Sequence, residues 1–253
     1  MARLASAAAA GYGVAHFVSS ALSSMQSDAG VRPVRVWDLP TRLFHWLLAA
    51  AVIGAVVTAK VGGNAMVWHT RLGLMVLALL VFRLAWGFVG GHWSRFASFA
   101  YGPASVRAYL RGDSGPGGRF DIGHSPLGAL SVFALLAVLL LQVATGLVAD
   151  DEVATVGPLN RFVEVATGLK ATAWHERVGQ YLIIALVVAH VGAVLYYLQA
   201  KRRNLIAPMW HGDKPLAPDT PASADGWRQR LLALVLIAIG LGLAGWIARL
   251  GAM

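Results

Sequence analysis

The sequence predicts an all-α membrane protein: a four-helix transmembrane bundle followed by a fifth, C-terminal transmembrane helix. Three observations carry this. Of the 253 residues, 57% are hydrophobic and only 13% charged, an imbalance foreign to soluble domains. Five apolar runs, near 42–60, 67–90, 127–149, 174–198 and 229–249, have about the 20 residues a helix needs to cross a bilayer. None alternates with period two, which argues against a membrane barrel, and backbone groups in lipid must then find their partners inside helices.

Residues 1–33 read as a cytoplasmic tail. The first 30 are Ala/Ser-rich with a single Arg and lack both the uninterrupted apolar core and the cleavage site of a signal peptide. Residues 34–205 hold the first four spans, with Trp37, Trp46, Trp68, Trp93, Trp174 and Tyr197 near span ends, where amphipathic rings sit at the membrane interface. Ser125-Pro126 has the form of a helix cap followed by Pro at the first helical position. Residues 206–228 are polar and Pro-rich, which marks a cytoplasmic linker. Residues 229–253 form the fifth span. It contains Gly240-x-Gly242-x-x-Gly245, but no strand precedes this pattern, so the context of a dinucleotide loop is missing. Small-residue packing along Gly240, Ala244 and Ala248 is expected instead, with the helix anchoring the chain, recruiting a partner or joining two copies in a homodimer.

The formal charge of +9 is spread between the apolar runs, so it speaks of topology and not of nucleic acid. Arg3, Arg32, Arg35 and Arg42 precede the first span. Arg95, Arg107, Arg111 and Arg119 lie between the second and third, and Lys201, Arg202, Arg203, Lys214 and Arg228 follow the fourth. The loop 150–173 instead carries Asp150, Asp151, Glu152 and Glu164 against Arg161 and Lys170. The positive-inside rule places the N-terminus in the cytoplasm and the C-terminus in the periplasm of a multi-pass inner-membrane protein. The absence of Cys excludes disulfides, thiolate-held iron–sulfur clusters and covalently attached haem.

Trp68-His69-Thr70-Arg71-Leu72-Gly73 is echoed by Trp174-His175-Glu176-Arg177-Val178-Gly179, each read as opening a span. His45 and His190 lie inside apolar runs, where ionisable groups are costly and mark function. Depth pairs them. His45 starts an outward helix and His190 approaches the end of an inward one, so both lie towards the cytoplasm. His69 and His175 both start inward helices on the outer side. On the fourth helix, His175 and His190 are separated by roughly 22 Å and about 60° of azimuth, so one helix offers an imidazole near each membrane face. Two non-covalent b-type haems, each between two His, fit this arrangement. Gly73 and Gly179 follow their His by four residues, on the same face, which would let a flat macrocycle approach the backbone; generic helix packing is the alternative. Arg83, roughly 21 Å deeper than His69, reads either as a propionate partner or as a side chain snorkelling to the surface. Arg71 and Arg177 read as interface anchors. His16, His92 and His211 read as solvated, and His124 as a surface residue beside the cap or a proton relay to a quinone.

Val36-Trp37-Asp38-Leu39-Pro40-Thr41-Arg42-Leu43-Phe44-His45-Trp46 resembles the opening of the bacterial cytochrome b561 family, which includes the b-type cytochrome subunits of nickel–iron hydrogenases. Gly123-His124-Ser125-Pro126-Leu127-Gly128 resembles that family's entry to its third helix, and Trp174-His175 and Ala189-His190 its fourth; the likeness covers about residues 34–205. The resemblance implies a di-haem bundle with His45, His69, His175 and His190 as axial iron ligands. It also implies electron transfer between a periplasmic partner (a hydrogenase, another dehydrogenase or a c-type cytochrome) and membrane quinone. Two rival expectations stand beside this electron-transfer subunit of an oxidoreductase system: a self-sufficient superoxide:quinone oxidoreductase, and a haem-free transporter or scaffold.

Overall fold

The computed structural model describes residues 30–251. The N-terminal tail, apart from its last four residues, and His16 therefore lie outside the described residues. The spans are α1 (Leu39–Val61), α2 (Met66–Val89), α4 (Pro126–Val148), α5 (Val165–Gln199) and α7 (Trp227–Gly251). All five are long and apolar enough to cross a membrane, and the chain is a multi-pass all-α membrane protein. Short elements join them: the strand β1 (Arg32–Arg35), the helix α3 (Pro103–Leu110), the helix α6 (Ile206–His211) and the strand β2 (Asp213–Leu216).

Local chemistry sets the ends of the helices. Asp38 caps α1, its carboxylate accepting from the Thr41 amide at 2.8 Å, with Pro40 in the first turn, where a missing N–H costs nothing. Gly62 stops the helix at φ +68°, a conformation that glycine adopts without strain. The turn to α2 is so short that the two helices must be antiparallel neighbours. Ser125 caps α4 as expected, its hydroxyl accepting from the Gly128 amide at 3.2 Å.

Two expectations are revised. First, α5 begins at Val165, not near 174, so His175 stands ten residues inside a helix and not at its mouth. The added stretch, Val165–Trp174, contains Thr, Gly and Lys170, so no apolar run announces it. Second, Trp37 and Trp93 do not lie at the lipid interface. Both are buried in a cluster with Val36, whereas Trp46 and Trp68 are exposed.

The stretch 206–228, read as linker, carries α6 and β2. β2 pairs antiparallel with β1, with Arg32 opposite Leu216 and Arg35 opposite Asp213. Arg35 clasps the pair, reaching Asp213 at 2.7 Å and Asp225 at 2.9 Å. These elements, with α3, cover one end of the bundle, called the strand end below.

The bundle of α1, α2, α4 and α5 is closed at mid-depth by Ala51, Val76, Leu80, Leu136, Leu139 and Ile183. α7 lies along α2. Gly240 makes this possible: a Cβ there would stand 2.6 Å from the Ala78 carbonyl oxygen. Gly240 and Ala244 are buried in the contact and Ala248 is half-buried, as small-residue packing requires. Gly242 and Gly245 face open space.

Candidate haem-binding site

The four predicted imidazoles meet in the predicted pairs. His45 of α1 and His190 of α5 have ring centres 6.3 Å apart with planes at 51°. His69 of α2 and His175 of α5 have ring centres 5.9 Å apart with planes at 88°. The apolar layer at mid-depth separates the two pairs along the bundle axis.

The His69–His175 pair is held from behind. Nδ1 of His69 donates to the Ala55 carbonyl at 2.9 Å, and Nδ1 of His175 donates to the Gln142 carbonyl at 2.9 Å. A carbonyl can only accept, so each bond fixes the tautomer and leaves Nε2 as the free lone pair. On the other pair, Nδ1 of His45 is buried without a protein partner.

These pairs fit a haem iron. Two imidazole–metal bonds of about 2 Å in line, plus a ring half-width at each end, put ring centres roughly 6 Å apart. The donor set is chemically right for a haem held without thiolates. Two further observations agree. A Cβ added to Gly73, four residues beyond His69, would meet nothing within 4 Å. Arg83 is only 3% exposed, its guanidinium 4.8 Å from the centre of the Phe96 ring, and its Nη1 has no protein partner. It does not snorkel to the surface, so its charge points to an anionic partner in the interior.

Gly179 is placed differently from Gly73. A Cβ there would lie 1.9 Å from Gln142 Oε1 and 3.0 Å from Trp174 Nε1, so its bare backbone admits α4. Arg71 stacks over Trp68 at 5.0 Å, and Arg177 is exposed. His211 is exposed and His92 half-buried.

His124 corrects its surface reading. Its ring is wedged between Trp37, 4.7 Å away, and Phe99, 4.3 Å away, and its Nδ1 is buried with no partner. Burial, then the nearby charges of Arg83 and Lys214, push its pKa down to about 3. A neighbouring network, also unforeseen, surrounds Asp38, which is fully buried. Its carboxylate accepts from Ser94 at 2.5 Å and from the Trp86 indole at 3.1 Å, besides the Thr41 amide. Four residues on α4 or α1 that touch the His pair also went unnamed: Ala55, Gln142, Thr145 and Gly146. The one sequence signal was Gln142, an amide set deep in an apolar run.

A model of the prokaryotic cytochrome b561 family matches residues 36–212, a span that includes both His pairs. The chain belongs to that family. Among curated proteins it is 26% identical over 190 residues to a probable Ni/Fe-hydrogenase 1 B-type cytochrome subunit of Escherichia coli K12, covering 62% of this chain and 80% of that one. It is 26% identical over 251 residues to a probable Ni/Fe-hydrogenase B-type cytochrome subunit of Azotobacter vinelandii, covering 78% of this chain and 98% of that one. No solved structure matches. Membership makes the chain a membrane cytochrome of electron transfer and implies haem b. The matched residues end before α7, so the fifth span lies outside the family match.

Proposed function

We propose that this cytochrome carries electrons between a periplasmic redox partner and the membrane quinone pool through two non-covalent haems. The single observation behind this reading is the double pairing of imidazoles, at 6.3 Å and 5.9 Å between ring centres, on opposite sides of one apolar layer. His45 and His190 would hold one haem b, and His69 and His175 the other. Bound in these places, haem supplies one-electron redox chemistry.

The chain's own groups do the rest. Ala55 and Gln142 hold the Nδ1 protons of His69 and His175, which keeps Nε2 free and raises its basicity as a ligand. Arg83 supplies a buried positive charge to a propionate near the His45–His190 pair. Gly73 leaves room beside the helix backbone. The middle layer of Ala51, Val76, Leu80, Leu136, Leu139 and Ile183 excludes water between the two sites.

The basic segments on either side of the spans favour a cytoplasmic strand end, which puts His45–His190 inward and His69–His175 outward in the bacterial inner membrane. The relatives' names favour a hydrogenase as the partner; another dehydrogenase or a c-type cytochrome would use the same outer face.

Membranes containing the protein test this. Adding a quinol should reduce b-type absorbance in the wild type, and substituting His45 with Ala should abolish the component nearest the proposed inner face. Absorbance that a soluble reductant reduces but no quinol touches would contradict the quinone assignment.

A further inference from the structure

The third membrane helix, α4, offers no imidazole, yet it grips one. At His175 the helix α5 widens into a π turn, His175–Gly179. Such turns are rare and are found mostly as single turns at functional sites. Gln142 of α4 holds this one by both of its ends. Its backbone carbonyl accepts from His175 Nδ1 at 2.9 Å. Its side-chain amide donates to the His175 carbonyl at 2.9 Å, which the wide turn also pairs with the Gln180 amide five residues on instead of the usual amide four residues on. Gly179 closes the same turn and admits the Gln142 amide, since a Cβ there would lie 1.9 Å from Oε1. One turn along α4, Gly146 makes room for the ring itself: a Cβ would stand 2.7 Å from His175 Cε1.

The turn has a geometric consequence. In an unbroken α-helix, His175 and His190 differ by about 60° in azimuth. Five underwound residues subtract from that angle and bring the two rings towards one line, facing the same interior.

We propose that Gln142 is a positioning residue: it clasps the π turn and so fixes the direction in which His175 presents its ring. This rests on the haem reading above, since the ring's direction matters only if it ligates. Loss of the clasp lets the turn relax to α geometry and swings His175 away from His69, while His45 and His190 keep their places.

The test uses the full-length protein purified from membranes, with the low-spin ferric EPR signal of each haem as the readout. Loss in H175A assigns the signal of the His69–His175 site. Gln142→Met keeps length and bulk but removes the donor. Gly179→Ala leaves Gln142 intact but pushes its amide away. Both should shift or abolish the H175A-sensitive signal and leave the other at its wild-type position, which also shows that the bundle has folded. If Gln142→Met does not accumulate, Gln142→Asn, which draws the amide back by one methylene, replaces it with the same expectation. An H175A-sensitive signal left at its wild-type position by these variants overturns the clasp alone. So does an equal shift of both signals, which would mark a general packing role. A wild-type protein with no signal sensitive to H175A overturns the clasp together with the haem reading beneath it.

Discussion

His69 and His175 stand with ring centres 5.9 Å apart, and each is tied through Nδ1 to a carbonyl of a helix that carries neither ring. The ties run to Ala55 on α1 and Gln142 on α4, so all four helices of the bundle converge on one pair of imidazoles. Substituting either ring removes one side of the pair and leaves its mate's tautomer fixed. His175→Ala or His69→Ala should therefore eliminate the haem of this site and spare most of the other, which a haem-to-protein ratio falling by about half would register. Loss of the other haem alone would contradict the pairing.

Asp38 gathers three donors at the strand end while fully buried. Asp38→Ala removes a helix cap, worth about 1 kcal/mol, and strands the buried Trp86 and Ser94 donors, at about 1–3 kcal/mol each. Thermal unfolding in detergent should show a loss of several degrees. Asp38→Asn retains acceptor capacity and should lose less. An unchanged midpoint in the alanine variant would contradict the network's role.

His124 gives the strand end an acid limit. With its folded pKa pushed down to about 3, below the ordinary value near 6.5, the unfolded chain binds the extra proton between these values. Stability from this group is thus complete above pH 6.5 and is lost as pH falls towards 3. Between pH 6.5 and 5 the loss is on the order of 2 kcal/mol. His124→Phe, which cannot titrate, should flatten the acid side of a melting-temperature profile; identical profiles would rule the group out.

α7 packs on α2 through one glycine and not its neighbours. A Cβ at Gly240 lands 2.6 Å from the Ala78 carbonyl, whereas one at Gly242 meets nothing within 4 Å. Gly240→Val should loosen the fifth helix and lower the melting temperature by a few degrees, and Gly242→Val should be nearly neutral. Because Gly240 and Ala244 are spent on α2, a contact between copies through α7 would have to use another face, such as exposed Leu234, Leu241 and Trp246.

The sequence made the spans and the His pairs legible because both follow from spacing along straight helices. Depth along a bilayer is nearly linear in residue number, so His45, His69, His175 and His190 could be matched without a structure. What escaped depends on contacts distant in sequence or on local departures from α geometry. β1 meets β2 across some 180 residues, and neither Val34 nor Lys214 announces the other. Trp37, Trp93 and His124 looked like boundary residues because the segments that cover them are polar and irregular. The π turn at His175 has no compositional mark, and Gln142 shows its purpose only when Gly179 and the His175 carbonyl are seen beside it.

Each His pair is proposed to hold one haem b. The most direct measurement is the haem-to-polypeptide ratio of the purified protein, taken from the pyridine haemochrome spectrum and quantitative amino-acid analysis. Two haems b per chain are expected, falling to one in His175→Ala and to one in His45→Ala. One haem in the wild type, or two retained when either His is replaced, would contradict this proposal.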